Sequence, residues 1–248
     1  MATSTKNATE KSPIELAKRA AAFAAVDAHI RPGDKVIGIG SGSTVPYAVE
    51  RIAAMGKAAN ENRFFVPTGF QSQNLILDAE LDVTVDGADE VDSDLNLIKG
   101  GGACHLREKV IAESAKTFVV VADFRKESKV LGEKYTKGVP VEIVPFASAR
   151  VLSALRALGS TKAALRMAKE KAGPVVTDNG NFCVDAPFPE SMMRDPSALL
   201  HQIKFITGVV EVGLFTNMCE AAYFGNEDGT ITIQSLDGSK EANIKVDL

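Results

Sequence analysis

The sequence predicts an α/β fold: a mainly parallel, Rossmann-like sheet domain carrying a smaller ferredoxin-like α+β domain. Three observations support this. Runs of consecutive apolar residues alternate with helix-length segments through the first half, the pattern of parallel strands covered on both faces. The loops after those runs are rich in Gly, Ser and Asp, and the carboxyl ends of strands are where open α/β sheets hold ligands. After about Gly138 the segment order becomes β-α-β-β-α-β, the ferredoxin-like unit.

Each element has its own signal. Ser12-Pro13-Ile14-Glu15 is a helix start, with Ser at the N-cap, Pro in the first turn and Glu closing a capping box. The alanine-rich helix runs to about His29 and stops before Arg31-Pro32-Gly33-Asp34. Lys35 to Gly40 reads as a buried strand, Ser41-Gly42-Ser43-Thr44 as a loop, and Val45 to Met55 as a helix. Phe64 to Val66 is a second strand, followed by a loop and helix over Pro67 to Leu77. Strands follow at Val83 to Val85 and Phe118 to Val121, with a helix between them beginning near Ala103. In the second half, Val139 to Pro145 is a strand, Ala147 to Leu158 a helix and Ala163 to Ala168 a short strand. Val175 to Asp185 reads as a hairpin around Asp178-Asn179-Gly180-Asn181. Pro196 to Ile206 is then a helix and Val209 to Phe215 a strand. A last hairpin, Ala221 to Gly225 and Thr230 to Gln234, returns to the first domain, and the final fourteen residues carry no pattern. The expected division is 1–137 with 214–248 as the α/β domain, and 138–213 as the smaller domain, suited to oligomerisation.

Composition narrows the function. At 248 residues, 45% hydrophobic and net charge −4, the chain has a sizeable core and no basic field to draw nucleic acid or anionic lipid. No apolar run approaches the ~20 residues of a membrane span, and the polar start MATSTKNATEKS lacks a signal-peptide core. Cys104, Cys183 and Cys219 are scattered, as are His29, His105 and His201, so the expectation is a reduced, cytoplasmic protein without a metal site.

The chemistry concentrates between Val83 and Lys116. Asp86-Gly87-Ala88-Asp89 follows a strand, Lys99 precedes Gly100-Gly101-Gly102, and Arg107-Glu108-Lys109 lies early in the next helix. Bare glycine backbone lets N–H groups approach an anion, and a helix start adds partial positive charge. Singly, these pieces read as a turn, a tight loop and a solvated helix face with Lys109 and Glu113 as an i,i+4 pair. Together they make an acid/base site for a small anionic polyol. The Ser41–Thr44 loop, between strand and helix, suits a lone phosphate. It fits neither a dinucleotide fingerprint, because Ser43 stands where glycine is needed, nor a P-loop.

The segments GIGSGST (38–44), VDGADEVD (85–92), IKGGGACHLREK (98–109), VVVADFRK (119–126), PVEIVPF (140–146), VVTDNGNF (175–182) and VVEVGLF (209–215) resemble, in order, the type A ribose-5-phosphate isomerase family. The resemblance implies a homodimer or homotetramer interconverting ribose 5-phosphate and ribulose 5-phosphate without metal or organic cofactor. It implies Glu108 as the base moving the proton between C1 and C2, and Asp86 and Asp89 as carboxylates for hydroxyl protons and ring opening. Lys99 would stabilise the enediolate; Gly87, Ala88 and Gly100 to Gly102 would line the sugar; Ser41, Gly42, Ser43, Thr44 and Lys126 would complete the ligand contacts. The chain departs from the family at His105-Leu106, where a hydroxyl is common, and at 78–82, a connection about a dozen residues shorter than usual. A sugar-phosphate sensor needs the phosphate loop but not Glu108 with Lys99, and a nucleotide-dependent dehydrogenase is opposed by Ser43.

Overall fold

The computed structural model describes residues 12–67 and 81–246; the expected loop and helix over Pro67 to Leu77, Pro67 itself apart, and most of the short connection before Val83 lie outside them. Ser12 Oγ accepts from the Glu15 N–H at 3.3 Å and starts helix α1, Pro13–His29. Strand β1 (Val36–Ile39) leads through the glycine-serine loop to α2 (Val45–Ala54), a short α3 (Lys57–Asn60) and β2 (Phe64–Pro67). Strand β3, Leu81–Asp86, is followed by two two-residue strands, β4 (Glu90–Val91) and β5 (Leu97–Ile98). Helix α4, His105–Ser114, runs directly into β6, Ala115–Asp123.

The smaller unit contains β7 (Val139–Ile143), α5 (Ser148–Leu158), β8 (Ala164–Leu165), β9 (Phe182–Ala186), a short α6 (Glu190–Met193), α7 (Pro196–Lys204) and β10 (Val209–Val212). Its antiparallel sheet has the order β10-β7-β9-β8, as a ferredoxin-like unit requires. The chain then forms β11 (Leu214–Phe215), β12 (Ala221–Gly225), β13 (Ile231–Ser235) and β14 (Lys240–Ile244).

The large sheet has seven strands in the order β14-β13-β12-β6-β3-β1-β2. Strands β12, β6, β3, β1 and β2 are parallel, while β13 and β14 add an antiparallel edge. Alternate residues of the central strands serve opposite faces. Val119, Val121 and Tyr223 pack with Ala21, Ala25 and Ala48 from α1 and α2. Phe118, Val120 and Phe224 pack with Ala112 of α4 and with Leu97 and Phe215 of a small third sheet, β11-β5-β4. That double cover explains the unbroken apolar runs.

Several expectations change. The strand over Val209 to Phe215 divides at Gly213, its halves joining different sheets. Gly213 donates to the Pro140 carbonyl at 2.7 Å and accepts from the Lys99 N–H at 2.9 Å, and a Cβ there would lie 2.2 Å from the Lys99 carbonyl oxygen. Only a residue without a side chain passes this crossing. The hairpin over Val175 to Asp185 keeps one regular arm, β9, joined to the other side by the single bridge Val176–Phe182. The strand over Ala163 to Ala168 shortens to two residues, and the patternless tail supplies β14.

Candidate active site

Strand β1 lies between β2 and β3, so the chain departs from it in both directions across the sheet. Loops leaving β1 and β3 at such a switch point diverge and open a crevice at the strands' carboxyl ends. The Gly40–Thr44 loop leaves β1, and Asp86-Gly87-Ala88-Asp89 leaves β3.

Asp86 ends β3 and is 1% exposed. Its Oδ1 accepts from the N–H groups of Ser41 at 2.8 Å and Gly87 at 2.7 Å. The first loop can close on this carboxylate because residue 40 is glycine: a Cβ there would come 1.9 Å from Asp86 Cγ. Asp86 Oδ2 lies 3.0 Å from Lys99 Nζ, and that ammonium also donates to the Gly87 carbonyl and stands 3.4 Å from Glu108 Oε1. Glu108, in the first turn of α4, accepts from Ser41 Oγ at 2.6 Å through Oε1, while its buried Oε2 has no hydrogen-bond partner.

Two acids and one ammonium are thus packed together away from bulk water. Burial pushes the Asp86 carboxyl up to about 7, with Glu108 adding to the rise and Lys99 opposing it. For Lys99, burial works against the charge, but the Asp86 and Glu108 carboxylates outweigh it and hold the ammonium above the ordinary lysine range. A cation fixed beside a base lets charge develop on a nearby oxygen without reorganisation of the protein.

The glycine triplet is held from its far side. Arg166 donates to the Gly100 carbonyl at 2.8 Å and the Gly101 carbonyl at 3.1 Å, while Asp185 holds the guanidinium with bonds of 3.0 and 2.5 Å. Because a trans peptide sets N–H opposite C=O, the Gly101 and Gly102 N–H groups face away from Arg166. The Gly101 N–H meets Asp89 Oδ2 at 2.6 Å.

A cavity of about 180 Å³ is lined by Ser41 to Thr44, Gly87 to Asp89, Lys99 to Gly102, Glu108, Val121 to Asp123 and Lys126. Every residue that the family resemblance assigns to the site lies on this wall except Asp86, which stands behind Gly87 and Lys99 with its oxygens already engaged. Asp86 is thus buried to the same degree as Lys99 and Glu108, at 1% against 2% and 6% exposure. The solvated-face reading of Arg107 and Lys109 is corrected: the Lys109 side chain is 5% exposed and bonds Glu211 at 2.8 Å, and the Arg107 side chain is 11% exposed. Asp123, at the carboxyl end of β6, was missed. Its burial works against the charge, but bonds from Arg125 prevail and hold the carboxyl below the ordinary range. Its position at the end of an apolar run was a usable signal.

Comparison with known proteins agrees with this geometry. The family model for ribose 5-phosphate isomerase A (phosphoriboisomerase A) matches residues 64–229. A ribose-5-phosphate isomerase of Mycosarcoma maydis is 62% identical, the alignment covering 96% of this chain and 87% of the relative. The structure of ribose 5-phosphate isomerase A from Methanocaldococcus jannaschii superposes with TM-score 0.76 at 35% identity, covering 88% of this chain and 98% of that one. A D-ribose-5-phosphate isomerase in complex with phospho-erythronic acid also gives TM-score 0.76, at 36% identity, covering 90% and 99%. A family match across well over half the chain, a close relative over nearly all of it and a shared fold lead to one conclusion: the chain belongs to the ribose 5-phosphate isomerase A family.

Proposed function

We propose that this chain interconverts D-ribose 5-phosphate and D-ribulose 5-phosphate through an enediolate, in the non-oxidative branch of the pentose phosphate pathway. The observation supporting the mechanism is the Lys99 ammonium set between the Asp86 and Glu108 carboxylates beside the cavity. Glu108 is the base. Its Oε1 is occupied by Ser41 and Lys99, and the unpartnered Oε2 keeps lone pairs for a carbon-bound proton. As that proton leaves, charge moves to the adjacent oxygens and Lys99 stabilises it. Asp89, on the cavity wall, passes protons between hydroxyls and opens the furanose. Asp86 acts through its partners, fixing Lys99 and the Ser41 and Gly87 N–H groups. Ser41 to Thr44, before the amino terminus of α2, receive the phosphate with Lys126, and Gly87, Ala88 and Gly100 to Gly102 line the sugar. The phosphate-bearing end thereby orients the reacting carbons. The bound phospho-erythronic acid of the relative, a phosphorylated sugar acid, fits a site of this character.

The division into 1–137 with 214–248 and 138–213, assembly as a homodimer or homotetramer, and a cytoplasmic location belong to the same proposal. The three unpaired cysteines agree with a reducing compartment. The test is conversion of ribose 5-phosphate by wild type and Glu108→Gln, with a chelator present and no nucleotide added. Loss of general base catalysis lowers kcat by ~10²–10⁴-fold while sugar-phosphate binding persists. Near-normal turnover in the variant removes Glu108 as the base, and an inert wild type removes the reading altogether.

A further inference from the structure

Three consecutive residues of α4 leave the helix in three directions, about 100° apart. Glu108 enters the site, and its two neighbours do not. Arg107 Nε donates to Asn179 Oδ1 at 2.9 Å, and Arg107 Nη2 donates to the Asp178 carbonyl at 2.8 Å. Lys109 Nζ donates to Glu211 Oε1 at 2.8 Å and to the Val212 carbonyl at 2.6 Å. Both sets of partners belong to the smaller unit, one in the turn before β9 and the other in β10.

That turn is itself anchored. Glu142 of β7, fully buried, accepts through Oε1 from Thr177 Oγ1 at 2.8 Å and from the Asn179 and Asn181 side-chain amides, each at 2.9 Å. Asn179 is therefore a bridge, with its amide nitrogen on Glu142 and its oxygen on Arg107. The TDNGN segment that read as a mere hairpin turn is fixed at one end in the small sheet and at the other on the helix bearing the base.

We propose that the smaller unit sets the aim of Glu108, with Arg107 and Lys109 as positioning residues that fix the rotation of α4 about its own axis. Apolar packing between a helix and a sheet tolerates small rotations, whereas directed bonds on both sides of one residue do not. A buried ion pair such as Lys109–Glu211 is no better for stability than an apolar pair of similar volume, so directionality is what it adds. A side-chain group ~5–6 Å from a helix axis moves by ~1 Å when the helix turns through ~10°. A displacement of that size is enough to lower turnover by up to ~100-fold.

This rests on Glu108 being the base, so the test uses a Glu108→Gln background. Lys109→Met and Asn179→Ala are made in wild type and in Glu108→Gln, with folding checked by circular dichroism. In wild type each lowers kcat by ~10–100-fold with KM within about twofold. In Glu108→Gln neither lowers the residual rate further, because no base remains to be aimed. An unchanged kcat in the folded single variants overturns the proposal, and so does an equal fractional loss in both backgrounds, the mark of a general structural effect. If Lys109→Met does not fold, Asn179→Ala decides alone. Full activity of Glu108→Gln by itself rejects the base assignment, a result distinct from either of these.

Discussion

Lys99→Met removes the ammonium from between two buried acids and keeps most of the side chain's bulk. In the wild type Lys99 is 2% exposed, 3.0 Å from Asp86 and 3.4 Å from Glu108, which are themselves 1% and 6% exposed. Removing one partner of a buried ion pair costs about 3–5 kcal/mol, because the remaining charge is left uncompensated. For a chain of this size each kcal/mol shifts Tm by ~2–4 °C, so the expected drop is ~6–20 °C at pH 8. The sign of its pH dependence is specific. Burial already pushes the Asp86 carboxyl up to about 7 against the pull of Lys99, so without the ammonium it rises further above the unfolded aspartate value. A group with a raised folded pKa gives its stability at low pH and loses it as pH rises through the folded value. The deficit of Lys99→Met should therefore be largest above the variant's raised Asp86 value, shrink as pH falls toward about 7, and level off below it. Differential scanning fluorimetry of both proteins from pH 5 to 9 measures this, alongside isomerase turnover, which should fall by at least ~10²-fold. A variant as stable as wild type at pH 8, or a deficit that grows on acidification, would show that Lys99 does not compensate these two acids.

Two other substitutions probe the surroundings. His105 is fully buried with neither ring nitrogen hydrogen-bonded; burial pushes its imidazole down to about 3, helped by Lys109 and Arg166 and opposed by Glu211. Stability from this group is present above the unfolded value near 6.5 and is lost as pH falls from there toward about 3. His105→Leu should raise the melting temperature at pH 7.5 by a few degrees, from relief of about 1–3 kcal/mol of unsatisfied polarity, and flatten the acid side of the stability curve; a lower Tm with an unchanged acid limb counts against it. Gly40→Ala places a methyl group 1.9 Å from Asp86 Cγ and must displace that carboxylate or the Ser41 loop. Its turnover should drop at least tenfold in a folded protein, and wild-type kinetics would mean that the contact between loop and carboxylate is dispensable.

Where the sequence was legible, the signal was local. The Ser-Pro-Ile-Glu start of α1 and the apolar run of β6 each declare themselves within a few residues. Part of the cavity wall was legible for a related reason: Ser41 to Thr44 and Gly87 to Asp89 follow strands that the pattern had already located, and the glycine triplet with Glu108 stands out by its own residue types. What escaped was either too short or too distant. Strands β4, β5 and β11 are two residues each, below any readable periodicity, and β14 is an exposed edge in which Ile244 alone packs against the core. The Lys109–Glu211 pair joins residues 102 positions apart, and nothing near Lys109 in the chain distinguishes it from a solvated lysine. Asp86 was placed correctly along the chain but not in depth, since its burial depends on Gly40 and Lys99 closing over it.

The crossing at Gly213 bears on how a sugar enters. The return path is bonded to Pro140 on one side and to Lys99 on the other, with no space for a methyl group between. A jaw-like swing of the small sheet away from the segment that carries the ammonium would have to break the bond to Pro140 or the bond to Lys99. Any opening between the two is thereby coupled, through a single glycine, to the placement of the Lys99 ammonium.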